Sequence, residues 1–398
     1  MLGEQRSIGR RALLRQIRKV GPVPRIDLAD QTGISRATVT TVTAELLEHG
    51  LIEEIHTLQP GQKRGRPKVD LKIRGDAFLV AGAKLANQSI SIVITDFEGQ
   101  VKNEFFFPLE KTKYDLDELV EQIATAIRSA AKDADIAASD ISALGLGLAG
   151  MVNVHDGIVL WSPSLSARNV PLGDALSAKL NIPCFIDNDA NLVAKAEQLF
   201  GMGKDVDDFI VVTIENGVGM GLVLDGALYR GTRGCGAEFG HTKVQLDGAL
   251  CRCGQRGCLE AYVADYALLR EMNAGVETTE LNVPADMAEL VDQAKSGDKR
   301  AQTILARAAK MFAMGLSNLV NIFDPKLIIL SGERMQLDFL YADDVLESIK
   351  DTVVDVDAPP PKIVVHKWGD MMWATGAAAY AIEGIGDISL KELADHAA

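Results

Sequence analysis

Charge is divided so unevenly along this chain that one uniform domain cannot account for it. The first 74 residues carry 14 Lys+Arg against 8 Asp+Glu, a net of +6, while the whole chain carries 41 against 55, a net of −14. The remaining 324 residues therefore hold 27 against 47, a net of −20. This split predicts a basic module joined to an acidic body, and a compact basic module is the electrostatic footprint of a nucleic-acid partner. A length of 398 residues suits two or three domains, and a 47 % hydrophobic content suffices for their cores. No apolar run approaches the ~18 residues of a membrane span. The stretch Met1 to Val20 is Arg-rich and lacks the apolar segment of a secretory signal. The chain is therefore expected in the cytoplasm, with no membrane partner. Five cysteines are too few for a disulfide scaffold.

The basic segment has the punctuation of a helix-turn-helix. Ile8, Ala12, Leu13, Ile17 and Val20 recur at helical spacing, and Gly21-Pro22 ends that helix. A short second helix carries Ile26, Leu28 and Ala29. Thr32-Gly33-Ile34 is the turn, because glycine accepts the left-handed backbone of a tight crossing. Ser35 is a good N-cap for a third helix over 36–49, with Val39, Val42, Leu46 and Leu47 inward and Gly50 at its end. That helix is the expected recognition helix. Its outward side presents Ser35, Arg36, Thr38, Thr40 and Thr41, types that reach phosphates and base edges, although a merely solvated helix face would carry the same side chains. Strands over 51–55 and 69–73 then flank the basic tip Gln62-Lys63-Arg64-Gly65-Arg66-Pro67-Lys68. Together they read as a two-stranded wing. Lys63, Arg64 and Arg66 are the candidate contacts to an A·T-rich minor groove, the alternative being a flexible charged linker.

From Ala77 onward, strands alternate with helices. Expected strands cover 78–83, 90–96, 101–107, 143–148 and 182–186, with a helix over 116–131. The fifth strand delivers Asp187-Asn188-Asp189-Ala190-Asn191 at its carboxyl end, where α/β sheets usually bind ligands, ahead of a helix over 192–200. A second α/β unit follows, with strands over 209–214, 222–224, 227–229 and 326–330 and a long helix over 299–321. Gly217, Gly219 and Gly221 read as a weak phosphate-cradling loop without the Lys-Ser/Thr of a Walker motif. A late helix over 371–382 and a separate short helix within 384–398 close the chain.

The most specific chemistry lies in Cys251-x-Cys253-x4-Cys258 with two intervening glycines. Tetrahedral zinc takes four N/S ligands, and His241 is the nearest fourth to these three thiolates. Four protein ligands make a closed, structural site; three reduced buried cysteines are the alternative. Cys184 sits in an apolar strand and reads as core. Glu238, His241 and Glu260 bracket the loop, and such carboxylates suit hydrogen bonding to sugar hydroxyls.

Glu238-x-x-His241, Cys251-x-Cys253-Gly-x-x-Gly-Cys258 and Glu260 together resemble the signature of the ROK family of repressors, open reading frames and sugar kinases. The helix-turn-helix and wing ahead of them resemble its repressor branch. The resemblance implies an α/β fold in which a winged helix-turn-helix precedes a two-lobed actin-like, ribonuclease H-like body with a sugar in its cleft. It implies one structural Zn2+ per chain on His241, Cys251, Cys253 and Cys258. It also implies a sugar site lined by Asn188, Asp189, Glu238, His241 and Glu260, with Asn169 a weaker match. The expected domains are 1–74 for the DNA-binding head, 75–190 for a first lobe completed by a C-terminal helix over 371–384, and 191–398 for a second lobe with the zinc loop.

Two departures from the kinase branch follow from the same comparison. Where the kinases carry an Asp-x-Gly-Gly-Thr phosphate loop, this chain reads Lys84-Leu85-Ala86-Asn87-Gln88, and where they carry Gly-Thr-Gly it reads Glu215-Asn216-Gly217. A loop that brings N–H groups to phosphate needs its glycines, and a carboxylate there repels ATP. Asp189 matches the kinase general base, and no catalytic residue is expected here. The expected function is a repressor of carbohydrate uptake or catabolism genes that a monosaccharide or sugar derivative releases from double-stranded operator DNA, as a homodimer or homotetramer. The alternatives are a ROK-type kinase that still phosphorylates a monosaccharide, and a body that docks a protein partner.

Overall fold

A computed structural model of the chain describes residues 2–57, 68–273, 283–332, 340, 343–349, 352–354, 359–367, 369 and 371–396. The chain divides into two compact units, Met1–Asn188 with Trp373–Ala398, and Asp189–Met372.

The first unit opens with α1 (Leu2–Val20), the two-residue strand β1 (Val23–Pro24), α2 (Arg25–Thr32), α3 (Arg36–Glu48), β2 (Ile52–Thr57) and β3 (Lys68–Ile73). Leu13, Ile17, Leu28, Val39, Val42 and Leu46 are buried where the three helices meet. Gly33 takes φ +68° at the end of α2, and the Ser35 hydroxyl accepts the Thr38 N–H at 3.2 Å. Gly50, at φ +67°, closes α3 with paired bonds from Gly50 N–H to Leu47 and from Leu51 N–H to Leu46. Two expectations need correction. Ile8 and Val20 do not face inward; they are 63 % and 42 % exposed. The buried stripe of α1 is Arg10, Leu13, Leu14 and Ile17, fixed in phase by the 2.8 Å ion pair of Arg10 with Glu45 on α3. Ile8 stands nine residues from Ile17, half a turn away. The wing is also not purely two-stranded, because Val23 and Pro24 pair with Leu71 and Asp70 to give the order β1-β3-β2. Its tip, with Lys63, Arg64 and Arg66, lies outside the described residues.

The unit continues through β4 (Leu79–Leu85), β5 (Ser89–Asp96), β6 (Val101–Pro108), α4 (Leu116–Asp133), β7 (Ile141–Leu148), β8 (Met151–Asn153), β9 (Ile158–Trp161), α5 (Leu172–Leu180) and β10 (Cys184–Asn188). Its sheet runs β10-β7-β4-β5-β6, parallel in the first three strands and antiparallel in the last three. One face packs on α4, whose Asp115 caps the first turn and whose Leu119, Ile123 and Ile127 are buried. Alternation along the strands turns Gly82 and Gly145 to the opposite face.

The second unit comprises α6 (Asp189–Phe200), β11 (Phe209–Ile214), β12 (Val218–Leu224), β13 (Ala227–Tyr229), α7 (Glu260–Val263), α8 (Asp265–Met272), α9 (Val283–Lys295), α10 (Lys299–Phe323), β14 (Leu327–Ser331), α11 (Asp343–Ser348) and β15 (Lys362–Val365). The chain then re-enters the first unit as α12 (Met372–His396). The second sheet runs β13-β12-β11-β14-β15, so both sheets carry their strands in the order third, second, first, fourth, fifth.

Glycine has a packing role that sequence spacing misassigned twice. Gly219 and Gly221 are not part of a phosphate loop. They lie within β12, where α6 presses so close that an added Cβ would stand 2.7 Å from the Cβ of Ala190 and 2.5 Å from that of Ala194. Nor does a break at Gly384 separate two late helices. α12 is one continuous helix of 25 residues. Gly82 and Gly145 let its backbone onto the first sheet, where a Cβ at either would overlap the carbonyl oxygen of Ala374 or Ala377. Among the described residues, no helix is long and apolar enough to cross a membrane.

Candidate functional site

The cysteine loop of the second unit folds back on itself. Backbone bridges join Lys243 to Cys258 and Leu250 to Arg256, and Gly254 and Gly257 take φ +85° and +76°. His241 ends a helical turn over Phe239–His241 and meets the loop there. One ligand atom from each of His241, Cys251, Cys253 and Cys258 lies within 4.8 Å of all the others. Two edges of that cluster, His241 Nδ1 to Cys251 Sγ and Cys253 Sγ to Cys258 Sγ, measure 3.7 Å. Thiolates at about 2.3 Å from a tetrahedral metal stand about 3.8 Å apart, so the four donors fit one ion. Cys251 and Cys258 are buried and Cys253 is exposed. Burial pushes the Cys251 thiol up when no cation compensates it.

Around this cluster stand two residues that sequence spacing did not flag. The Lys243 ammonium donates to Cys258 Sγ at 3.0 Å, which favours thiolate. The Tyr266 hydroxyl lies 3.6 Å from Cys251 Sγ and donates to Glu260 Oε1 at 3.3 Å. Cys184 is half-buried away from the cluster, its thiol pushed up to about 11 by burial, as suits an inert core position.

The carboxylates follow from the same scaffold. Glu260 begins α7 two residues after Cys258, and its second oxygen accepts the Val218 N–H at 3.3 Å. Gly217, in the turn between β11 and β12, leaves room for it, since a Cβ there would sit 3.0 Å from Glu260 Oε2. Glu238 Oε2 is 4.0 Å from His241 Nε2. The Glu238 carboxyl is held above the usual range, first by partial desolvation and then by the charges of Glu260 and Asp189, with His241 opposing. Asp189 is the first residue of α6, three positions before the expected start of that helix, and its Oδ1 accepts the Ala190 N–H at 2.9 Å. Asp189, Glu238, His241 and Glu260 thus act on one another within the second unit.

Asn188 and Asn169 belong to the first unit. Asn188 is the last residue of β10, not part of a following loop, and its amide donates to the Gly150 carbonyl at 2.7 Å. Asn169 is exposed, in the left-handed region at φ +54°. On α3, Ser35, Arg36, Thr38, Thr40 and Thr41 are all exposed. The hydroxyls of Thr40 and Thr41 donate to the carbonyls of Arg36 and Ala37 one turn back, which fixes their rotamers.

The raised Glu238 carboxyl has a measurable consequence. A folded-state value above the unfolded one means the folded chain holds its proton to higher pH, so stability drops as pH rises through the interval between the two. In the metal-free protein, Glu238→Gln should raise the melting temperature at pH 7 and leave it unchanged below the ordinary carboxylate range. An equal rise at both pH values would rule out the electrostatic origin.

Comparison with known proteins agrees with this geometry. A sequence model of the ROK family matches residues 81–383. The chain belongs to the ROK family. A MarR family model matches residues 7–57, which contain α1 to α3. The xylose repressor of Caldicellulosiruptor bescii is 29 % identical over 392 residues, covering 94 % of this chain and 98 % of the repressor. The DNA-binding transcriptional dual regulator NagC of Escherichia coli is 29 % identical over 333 residues, covering 82 % and 80 %. Among solved structures, a ROK family transcriptional regulator homologous to the E. coli Mlc protein superposes with a TM-score of 0.79 at 25 % identity, covering 98 % of this chain and 99 % of that one. A ROK family glucokinase from Streptomyces griseus, in complex with glucose and AMPPNP, gives 0.64 at 29 % identity and covers 76 % of this chain and 99 % of the kinase. The kinase therefore lacks a counterpart for about a quarter of this ROK chain. The fold is thus a MarR-like helix-turn-helix ahead of an actin-like body of the ROK sugar-kinase type.

β4 extends through Leu85, and the following turn closes tightly through Ala86 N–H to Ser89. Lys84 is buried, with its ammonium 3.4 Å from the Trp373 ring centroid.

Proposed function

We propose that this ROK protein is a cytoplasmic, sugar-responsive repressor. It binds double-stranded operator DNA as a homodimer or homotetramer and is released by a monosaccharide or sugar derivative. The observation that carries this reading is full-length similarity to a xylose repressor, head and body together, at 94 % of this chain and 98 % of that protein. In this reading α3 enters the major groove, with Ser35, Arg36, Thr38, Thr40 and Thr41 toward DNA, and Lys63, Arg64 and Arg66 of the wing reach the minor groove. Asn169, Asn188, Asp189, Glu238, His241 and Glu260 bind the sugar. A hydroxyl bound to a carboxylate such as Asp189 contributes about 1.5–3 kcal/mol.

His241, Cys251, Cys253 and Cys258 hold one Zn2+, whose role is structural because four protein donors leave no open position for an activated water. The ion pins the loop from which His241 and Glu260 reach the sugar. No catalytic residue is assigned. Asp189 is a hydrogen-bond acceptor here, and the buried Lys84 occupies the position of the acidic residue in the kinases' phosphate loop.

The sugar acts by linkage. It shifts the operator equilibrium only as far as its affinities for the DNA-competent and DNA-incompetent forms differ. The test is titration of the operator complex with a sugar panel, beside a coupled ATPase assay on the same panel. The expected outcome is release by at least one sugar with no turnover above background. Turnover without release would establish the kinase reading instead, and an operator affinity indifferent to every sugar would defeat sugar control.

A further inference from the structure

The DNA-binding head meets the first sheet at one residue of a tight turn. Phe97-Glu98-Gly99-Gln100 joins β5 to β6, and the buried Asp96 carboxylate locks it. One Asp96 oxygen accepts the N–H groups of Glu98, Gly99 and Gln100 at 3.1, 3.0 and 2.9 Å, and the other pairs with Lys102 at 2.8 Å. Phe97 is fully buried and held from three sides. Its N–H donates to the Gly75 carbonyl at 2.9 Å, and its ring stands edge-on to Phe78 at 5.2 Å. Both partners belong to the short link, residues 74–78, between β3 of the head and β4 of the sheet. Its carbonyl accepts from the Arg18 guanidinium of α1, which also lies 4.5 Å from the ring centroid. On the third side is Gly386, where a Cβ would lie 3.6 Å from the ring.

α1 therefore has two working faces. Arg10, Leu13 and Ile17 serve the head, as described above. One position further on, Arg11, Leu14 and Arg18 recur at the spacing of a single helix face and turn to the body. Leu14 is buried and would be 3.8 Å from a Cβ at Gly386, and Arg11 pairs with Asp387 of α12 at 2.7 Å. Removal from water pulls Arg18 down to about 10, with Glu98, Glu383 and Asp96 countering it. A guanidinium with a carbonyl acceptor, a ring and three carboxylates around it has one seat. The link at 74–78 would tether the head to the sheet without any of these side chains, so their arrangement holds a direction rather than a connection.

We infer that Arg18 is a positioning residue for operator recognition: by seating α1 on Phe97 it fixes the direction in which α3 is presented, and with it the half-site separation that two heads can read together. The inference rests on the repressor reading, with two heads on one DNA site, and adds the residue that sets the separation. Two heads gain over one only when both engage at once. A seated head has one reach, whereas a tethered head has many and must be ordered when DNA binds. Half-sites of helix-turn-helix pairs lie about 10–10.5 base pairs apart or at multiples of this, so five inserted pairs carry the second half-site to the opposite side of the duplex.

The experiment uses the full chain and an operator duplex selected from a random-sequence library on the wild-type protein. Beside it are a half-site duplex cut from that operator and versions with two or five base pairs inserted at its centre. Arg18→Glu sets a fourth carboxylate among Asp96, Glu98 and Glu383 and unseats the helix. Arg18→Met keeps length and contact with the ring but removes the charge and the donor, which guards against a folding defect in the first variant. The wild type should lose at least about tenfold in affinity on either insertion, and both variants less than about threefold, while their half-site affinity stays within about twofold of the wild type. Wild-type selectivity for the separation, retained in either variant, overturns the assignment. So does a half-site affinity that falls in step with operator affinity, because Arg18 would then act within the head's own fold or on DNA directly. A wild type that binds the selected operator and is indifferent to both insertions overturns the seat and leaves the repressor reading standing. A wild type that selects no duplex overturns both.

Discussion

Gly145→Val should yield no folded protein. The new Cβ would overlap the carbonyl oxygen of Ala377, a main-chain atom in a helix that is itself held by Gly82 and Trp373. Neither β7 nor α12 can retreat. β7 is hydrogen-bonded to β4 on one side and β10 on the other, and α12 rests along the same sheet face. Overpacking usually costs about 1–3 kcal/mol, and with main chain fixed on both sides the cost here should reach the exceptional range of about 5 kcal/mol, the low end of a whole domain's stability. Gly9→Ala is the matched control. Gly9 lies inside α1 with nothing within 4 Å of an added Cβ, so alanine there should stabilise by up to about 1 kcal/mol. Soluble yield and melting temperature decide it, and a soluble Gly145→Val with the wild-type melting temperature would refute the backbone contact.

Loss of a residue of the proposed metal site has the second largest expected effect. Cys258 is fully buried and its thiol faces Cys253 and the Lys243 ammonium. Cys258→Ala, or chelation of the wild type with phenanthroline, should remove one equivalent of zinc and lower the melting temperature of the second unit by many degrees. Structural zinc in small domains is worth about 10–16 kcal/mol of apparent binding energy at neutral pH, much of it returned as folding energy. Sugar binding should be lost too, because Glu260 follows Cys258 by two residues and shares Tyr266 with Cys251. Lys243→Met keeps all four donors and should cost only about 10- to 100-fold in metal affinity. Elemental analysis of the purified protein separates the cases. A metal-free wild type with the same melting temperature would show that the loop needs no ion.

Sequence patterns located what depends on local chemistry. Ser35 as a cap and Gly33 and Gly50 at left-handed turns follow from single residues, and the structure has them where they were read; the strands of the first sheet followed from their apolar runs, whereas in the second sheet β15 was not read and the first half of β12 was read as a loop. Sequence spacing grouped His241, Cys251, Cys253 and Cys258, and the structure brings these four together, because a donor set for one ion fixes spacing and residue type at once. What sequence could not show is why a glycine is present. A glycine that ends a helix, one that cradles a phosphate and one that admits a neighbouring backbone look identical in the chain. Gly384 therefore read as a helix break, yet it is a point where α12 meets Phe185. Gly219 and Gly221 read as a loop, yet they are a landing for α6. Ile8 failed for a related reason. The phase of α1 is set by Arg10 and its partner Glu45, a pairing across 35 positions that no local window contains. Lys243 and Tyr266 were missed because residues that pack against a cysteine cluster have no fixed spacing in the chain.

The return of α12 to the first unit also sets an order of events at birth. The sheet of β4 to β10 is complete in sequence by Asn188, but one of its faces is covered by residues from Trp373 onward. During synthesis that face must wait while the whole intervening unit emerges, and its apolar strands stay uncovered meanwhile. The head and the second unit contain their own contacts and can condense early. The first unit depends on pairings separated by more than two hundred positions, the kind that slow folding and leave nascent chains open to aggregation. Premature termination just before α12 should therefore give a chain with an intact head and cysteine loop that is nonetheless insoluble, the first sheet left without the helix that covers one of its faces.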